Sequence, residues 1–210
     1  MTGPSKRLAV LVVACLFVVA AAGAAVNASS FPPGAGGKGV WALDRAAAEW
    51  ARRVAPEGSP AWKVSRIVTE LGGPAGIAAA LVTIGSANRQ AGEEAFSALV
   101  YAGAVTYAVK ALSGRARPGR GDVGFFGPSL SPGLDSFPSG HTAAAFAVAA
   151  VAARHHPRYA EELFAAALAV GVSRIILGEH WATDVLAGAA LGALAADRVA
   201  SGRWAIVWQW

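Results

Sequence analysis

The chain has 210 residues, enough for one domain over residues 1–210, and a net charge of +5 at pH 7. Hydrophobic residues make up 55% of it and charged residues 15%, against roughly 45–50% and about 25% in soluble globular domains. A single cysteine, Cys15, excludes a disulfide framework and a cysteine metal site. Basic residues are scattered rather than concentrated in one dense run, which argues against nucleic-acid binding.

The first apolar segment covers residues 8–26 and carries no charge. As a helix it is long enough to cross roughly 30 Å of hydrocarbon. Lys6 and Arg7 precede it, which favours a cytoplasmic N-terminus. The alternative is a cleaved signal peptide, because residues 20–25 offer small side chains at which a peptidase could cut.

Residues 31–39 are rich in glycine and proline and predict a loop. The following segment, 40–54, predicts an amphipathic helix that lies in the membrane interface. Its apolar stripe consists of Val40, Leu43, Ala47, Trp50 and Val54, and its polar side of Asp44, Glu49, Arg52 and Arg53. An ordinary surface helix packed on the rest of the protein is the alternative.

Further apolar segments follow at residues 71–87, 95–112, 142–153, 163–177 and 185–196. With the first segment they predict an all-α integral membrane bundle of about six transmembrane helices, which returns the C-terminus to the side of the N-terminus. Trp204, Trp208 and Trp210 would then anchor the cytoplasmic interface. A soluble alanine-rich bundle would show similar runs, but six such segments separated by short polar or Gly/Pro connectors favour the membrane bundle.

Three polar clusters stand at the ends of these apolar segments. In the first, Lys110 and Arg117 are two cations that can converge on one phosphate. The alternative is that both side chains simply extend to the membrane interface.

The second cluster, Pro138 to His141, directly precedes the segment 142–153. Ser139 and Gly140 at a helix start can offer a hydroxyl and free backbone N–H groups to an anion. His141 is placed to donate a proton to a leaving oxygen. A serine N-cap beside an incidental histidine would have the same sequence.

In the third cluster, His180 and Asp184 lie one helical turn apart on the same face. The carboxylate can fix the imidazole tautomer and leave the other ring nitrogen as a nucleophile. Arg174 adds a cation inside an apolar stretch, where a charge is costly unless it has a function. A helix N-terminal aspartate beside a structural histidine is the alternative for the pair alone.

The connections between the clusters predict that they meet. Residues 119–137 form a Gly/Pro-rich loop without a crossing, and the stretch between His141 and Ser173 permits one crossing out and one back. All three clusters are therefore expected on one side of the membrane, and on the outer side if residues 8–26 exit from the cytoplasm.

These clusters resemble the three-part signature of the type 2 phosphatidic acid phosphatase (PAP2) superfamily, a lysine, six residues and Arg-Pro, then Pro-Ser-Gly-His, then Ser-Arg, five residues, His, three residues and Asp. The positions that match it are Lys110, Arg117, Pro118, Pro138, Ser139, Gly140, His141, Ser173, Arg174, His180 and Asp184. The signature spans residues 110–184 and no position is missing.

The resemblance implies a metal-independent phosphatase without a cofactor. Lys110, Arg117, Ser139, Gly140 and Arg174 would bind the phosphate. His180 would attack phosphorus and form a phosphohistidine, Asp184 would orient it, and His141 would act as the acid and then assist hydrolysis.

The implied substrate is a lipid phosphate or pyrophosphate in the inner (plasma) membrane of a bacterium, with the site facing the extracytoplasmic side. Candidates are polyprenyl pyrophosphate such as undecaprenyl pyrophosphate, phosphatidylglycerol phosphate and phosphatidate. A secreted acid phosphatase of the same superfamily and a non-catalytic lipid-binding homologue remain alternatives. Nothing in the residues indicates an oligomeric state.

Overall fold

The computed structural model describes residues 40–120, 123–131 and 133–202, and within these ranges the chain is helical and forms no β-strand. The helices are α1 Val40–Val54, α2 Pro60–Thr69, α3 Pro74–Ala87, α4 Arg89–Ser113, α5 Gly140–His155, α6 Ala160–Ile176 and α7 Ala182–Ala200. Short 3-10 turns occupy Glu70–Gly72 and Pro157–Tyr159. The predicted first span, 8–26, and the predicted tryptophan anchor near the C-terminus lie outside the described residues.

For the described residues the all-α prediction is confirmed, and every predicted apolar segment inside these ranges contains a helix. The count of six membrane spans stays a prediction. In the described ranges, α4 alone is long and apolar enough to cross a bilayer, or two spans qualify if Pro60–Gly72 and Pro74–Ala87, bent by 52°, form one broken span. α5 and α6 have 16 and 17 residues, at or below the lower limit of roughly 17 for a transmembrane helix.

Helix boundaries follow local side-chain chemistry. The Ser59 hydroxyl accepts from the N–H of Trp62 and begins α2, and Asn88 Oδ1 accepts from the N–H of Ala91 at 3.1 Å and begins α4. Gly114, with φ 52°, ends α4 in the left-handed conformation that glycine adopts without strain. The chain therefore leaves α4 sharply and enters the loop that carries the first cluster.

α5 lies at the centre of the bundle and packs against α4, α6 and α7. The shared core consists of small side chains, so the helix backbones approach one another closely. A Cβ atom added at Gly188 of α7 would lie 2.5 Å from the carbonyl oxygen of Ser139 and 3.2 Å from Thr142 Cβ. This close approach presses the start of α7 against the start of α5. The core residues are Ala95, Ala98, Ala102, Ala147, Ala150, Val151, Ala195, Ala196 and Val199.

Helix α1 forms over the predicted residues but presents a different face. Asp44, predicted on its polar side, is fully buried, whereas Leu43 of the predicted apolar stripe is 47% exposed. That part of the prediction is wrong because Asp44 pairs with a buried arginine, Arg115, which the helical periodicity cannot show. α1 packs against α6 and α7, and its location in the membrane interface stays a prediction.

Candidate active site

The helix directions bring all eight predicted site residues to one end of the bundle. Lys110 lies in the last turn of α4 and Arg174 in the last turn of α6, whereas α5 and α7 begin at the same end. The N–H of Ser139, just before α5, donates to the carbonyl oxygen of Asp184 in α7 at 3.0 Å. This backbone hydrogen bond joins the second cluster directly to the third. The remaining predicted residues at this end are Arg117, Gly140, His141 and His180.

His180 and Asp184 form the buried centre of the site. His180 Nδ1 lies 3.5 Å from Asp184 Oδ2, and the two side chains are 3% and 0% exposed. The distance leaves Nδ1 without an aligned hydrogen bond. Burial, together with the nearby Lys110 and Arg174 charges, lowers the pKa of His180 in spite of the Asp184 carboxylate. The imidazole is therefore neutral at pH 7, the form in which a ring nitrogen can act as a nucleophile.

Asp184 is held by three donors besides its contact with His180. Its Oδ2 atom accepts from the Ser136 hydroxyl at 2.6 Å and from the N–H of Trp181 at 2.9 Å. Its Oδ1 atom accepts from the Arg115 guanidinium. A carboxylate with this many donors stays ionised and fixed in orientation.

The cations of the site are paired with carboxylates and other oxygens. Arg117 donates two hydrogen bonds to Asp135, from Nε to Oδ1 at 3.1 Å and from Nη2 to Oδ2 at 3.0 Å. Its Nη1 donates to Glu179. Arg174 Nη2 lies 3.7 Å from the same Glu179 carboxylate, and its Nη1 donates to Thr69 Oγ1 at 2.9 Å. Lys110 donates to the carbonyl oxygen of Asp135.

The pairing also affects the pKa of Asp135. Burial alone would raise it, yet the hydrogen bond and charge of Arg117 and the charge of Lys110 hold the pKa of this carboxyl below its ordinary value. Asp135 therefore remains an anion and keeps Arg117 in place.

Ser139 caps the first turn of α5. Its hydroxyl oxygen accepts from the Thr142 hydroxyl at 2.9 Å and from the Thr142 N–H at 3.5 Å. Since Ser139 Oγ is the acceptor in both contacts, its own O–H proton is left for another partner. Gly140 follows as the first residue of α5, where backbone N–H groups point out of the helix. The capping and anion-binding interpretations are thus compatible in one residue.

A cavity of about 790 Å³ opens beside the site, between α3, α4 and α5. Lys110, Asp135 and His141 stand at its polar end, and the rest of its lining is predominantly apolar. Gly103 of α4 lines it, and a Cβ atom added there would meet no atom within 4 Å. The apolar lining includes Ile77, Ala78, Leu81, Leu99 and Ala144.

Several residues of the site are not predicted by the motifs. Asp44 of α1 pairs with Arg115, and Arg115 pairs with Asp184. In the sequence, Arg115 lies between Lys110 and Arg117 of the first cluster. Asp135 and Glu179 bind the cations. The sequence signals these roles weakly, through the additional cation Arg115 in the first cluster and the acidic Glu179 directly before His180.

Among the described residues, no cluster of three or more His, Cys, Asp or Glu side chains is arranged to hold a metal ion. The absence of a metal from the reaction stays a prediction.

Comparison with known proteins now identifies the family. The sequence profile described as PAP2 superfamily matches residues 94–208, more than half of the chain. The chain belongs to the PAP2 superfamily. The matched residues include all three motifs of the PAP2 signature, so the resemblance seen in the sequence is confirmed.

Curated PAP2 relatives match over shorter stretches. A lipid A 1-phosphatase of Rhizobium etli is 37% identical over 103 residues, which are 46% of this chain and 44% of that protein. A non-specific acid phosphatase of Salmonella typhi is 44% identical over 59 residues, which are 28% of this chain and 24% of that protein. The chain thus matches less than half the length of these relatives.

Two solved structures resemble the bundle. Aquifex aeolicus LpxE aligns with a TM-score of 0.61 at 22% identity, over 73% of this chain and 93% of that one. The transmembrane PAP2 type phosphatidylglycerolphosphate phosphatase of Bacillus subtilis aligns with a TM-score of 0.59 at 25% identity, over 92% of this chain and 95% of that one. The PAP2 helical fold therefore extends over most of the chain.

Proposed function

We propose that this PAP2 protein is an integral membrane phosphatase that hydrolyses a lipid phosphate or pyrophosphate through a phosphohistidine on His180. The observation that carries the proposal is the buried His180–Asp184 pair, which lies near the charges of Lys110 and Arg174. Lys110 also stands, with His141, at the polar end of the apolar cavity. The pair supplies a nucleophile, the cations bind an anion, and the cavity receives a hydrocarbon chain.

The proposed nucleophile is Nε2 of His180. Because Nδ1 faces Asp184, the carboxylate favours the tautomer with the proton on Nδ1 and leaves the Nε2 lone pair free to attack phosphorus. Attack forms the N–P bond and breaks the bond from phosphorus to the leaving oxygen. The positive charge that develops on the imidazole is stabilised by Asp184, as in other carboxylate–histidine pairs.

The proposed phosphate site comprises Lys110, Arg117, Arg174, the Ser139 hydroxyl and the N–H groups at Gly140. Fixed cations and oriented backbone dipoles stabilise the charge that spreads over the phosphoryl oxygens in the transition state. His141 gives its proton to the leaving alcohol or lipid monophosphate. It then takes a proton from the water that hydrolyses the phosphohistidine, which releases inorganic phosphate and restores His180.

The cavity supports a lipid substrate. A soluble phosphate ester has no need for an apolar volume of about 790 Å³ beside the phosphate site. The lipid A 1-phosphatase relatives and the fold shared with a phosphatidylglycerolphosphate phosphatase point in the same direction. We place the protein in the inner membrane with the site facing outward, an orientation that follows from Lys6 and Arg7 and the precedent of the family.

One observation favours a second candidate, a secreted acid phosphatase. The 44% identity to the non-specific acid phosphatase, although confined to 59 residues, is higher than that to the Rhizobium relative. Carbonate washing of membranes separates the two candidates, because an integral protein stays in the pellet and a secreted one does not.

The decisive experiment measures phosphate release by the purified protein in detergent, with EDTA, across a panel of lipids. The panel contains undecaprenyl pyrophosphate, phosphatidylglycerol phosphate, phosphatidate and lipid A 1-phosphate. We expect activity on at least one lipid, inhibition by vanadate and loss of activity in His180→Ala. His156→Gln, at the opposite end of α5, is the matched histidine control. Full activity of His180→Ala, or abolition of activity by EDTA, would refute the mechanism.

A further inference from the structure

Helix α1 brings a carboxylate into the candidate active site from outside the motifs. Asp44 is fully buried and accepts from the N–H of Thr183 at 2.8 Å through Oδ1 and from the Thr183 hydroxyl at 2.8 Å through Oδ2. Its Oδ2 atom also accepts from Nη2 of Arg115. Asp44 therefore binds both the residue next to Asp184 and the arginine that Asp184 itself binds.

Arg115 lies between two buried carboxylates. One of its terminal nitrogens pairs with Asp44 and the other with Asp184, and all three side chains are 0% exposed. Nη1, the nitrogen that pairs with Asp184, also donates to Thr183 Oγ1 at 2.7 Å. Asp44, Arg115 and Asp184 form a row of charged groups with one positive and two negative charges. This row therefore retains a net negative charge next to the neutral His180.

Aromatic rings enclose the guanidinium of Arg115. Its central carbon lies 5.0 Å from the ring centre of Trp41, 5.2 Å from that of Phe125 and 5.8 Å from that of Trp181. The rings exclude water from the three charges, which strengthens the electrostatic interactions among them.

We propose that Asp44 and Arg115 are positioning residues for the His180–Asp184 pair, and the proposal rests on the proposed function of His180 as the nucleophile. Arg115 fixes the orientation of Asp184 by binding Oδ1, the oxygen that does not face His180. Asp44 draws part of the arginine charge away from Asp184. Asp184 thereby keeps enough negative charge to stabilise the imidazolium that forms when His180 attacks phosphorus.

The first test replaces Asp44 by the isosteric asparagine. In Asp44→Asn the whole charge of Arg115 acts on Asp184, and the transition state loses stabilisation that substrate binding does not use. We expect kcat for a short soluble phosphate ester to decrease about 10- to 100-fold while KM changes less than about twofold. Glu49→Gln, which removes a half-buried carboxylate from the same helix, is the matched control and should keep the wild-type kcat.

The second test restores the charge balance. In Asp44→Asn/Arg115→Gln the arginine charge is absent, Asp184 keeps its full charge, and the glutamine amide can still donate to Oδ1. We expect the double variant to have a kcat at least about threefold above that of Asp44→Asn, since the two substitutions act through one carboxylate. A merely structural role for the row predicts the reverse, because two substitutions in a buried network then add their losses.

Thermal unfolding in detergent identifies variants that do not fold. If Asp44→Asn or the double variant does not fold, Arg115→Lys replaces it in the test. Lysine keeps the charge but cannot bind both carboxylates at once, so we expect the same loss of kcat at unchanged KM. A wild-type kcat in Asp44→Asn or Arg115→Lys, or a double variant below Asp44→Asn, overturns the inference. His180→Ala in the same assay tests the proposed function separately, because its activity does not depend on Asp44.

Discussion

Gly103 offers a direct way to test whether the apolar cavity binds the hydrocarbon chain of the substrate. The residue lines the cavity on α4, and a Cβ atom added there meets no other atom within 4 Å, so a side chain can be introduced at this position. In Gly103→Phe the new ring would fill part of the volume of about 790 Å³ and leave the phosphate site intact.

The size of the effect follows from the hydrocarbon that the ring excludes. Burial of a methylene group contributes about 0.8 kcal/mol, and a phenyl ring displaces on the order of three methylenes. The loss of about 2.4 kcal/mol corresponds to roughly a 60-fold decrease in kcat/KM for a long-chain lipid phosphate. For a short soluble phosphate ester, which places no chain in the cavity, we expect a change of less than about threefold.

The assay measures phosphate release from both substrates in the same detergent. Val100→Phe is the matched control, because Val100 lies one turn away on α4, is 40% exposed and does not line the cavity. An equal loss for both substrates in Gly103→Phe would show that the ring disturbs the phosphate site. An unchanged rate for the long-chain lipid would show that the chain binds elsewhere, and either result would refute this role of the cavity.

Three further predictions follow from the site. Because burial lowers the pKa of His180, the unfolded chain binds a proton at a higher pH than the folded protein does. The free energy of unfolding should therefore decrease as the pH falls below about 6.5, and it should decrease less steeply in His180→Gln. Denaturant titration at several pH values measures both. Gly188→Val should lower the free energy of unfolding by about 1–3 kcal/mol, because its Cβ would collide with the carbonyl oxygen of Ser139, whereas Val at the exposed Ala190 should change it little. Glu179→Gln should tighten inhibition by inorganic phosphate about threefold or more, because the carboxylate competes for Arg117 and Arg174; unchanged inhibition constants would exclude that competition.

The meeting of the three motifs could be predicted because each motif flanks an apolar helix. Lys110 and Arg174 end helices, whereas His141 and Asp184 begin them, so alternating helix directions place all four at one end. The spacing of four residues between His180 and Asp184 also fixes their shared face without any tertiary information. These features depend on local geometry, which the sequence carries directly.

The remaining part of the site depends on tertiary contacts that leave no local pattern. Asp44 lies 71 residues before Arg115, its partner, and it is one of several charged residues on an amphipathic helix. Helical periodicity places Asp44 on the polar side, because an unpaired carboxylate stays in water. A carboxylate is buried only when it has a partner, and the periodicity of one helix does not show a partner on another segment. Arg115 itself shares its segment with Lys110 and Arg117, and sequence alone does not show which cations face the ligand. α3, which forms one wall of the cavity, follows a bend of 52° after the preceding helix, and hydropathy does not reveal that bend.

The pairing of the cations determines how a phosphate could enter. Asp135 holds Arg117 through Nε and Nη2, whereas Glu179 binds its remaining nitrogen, Nη1, and lies within 3.7 Å of Arg174 Nη2. Movement of the Glu179 side chain alone would therefore free one donor on each arginine, and Asp135 would keep Arg117 in place meanwhile. On the proposed function, the oxygens of an arriving phosphate replace the carboxylate of Glu179 as the partners of the two arginines. The remainder of the site does not need to rearrange.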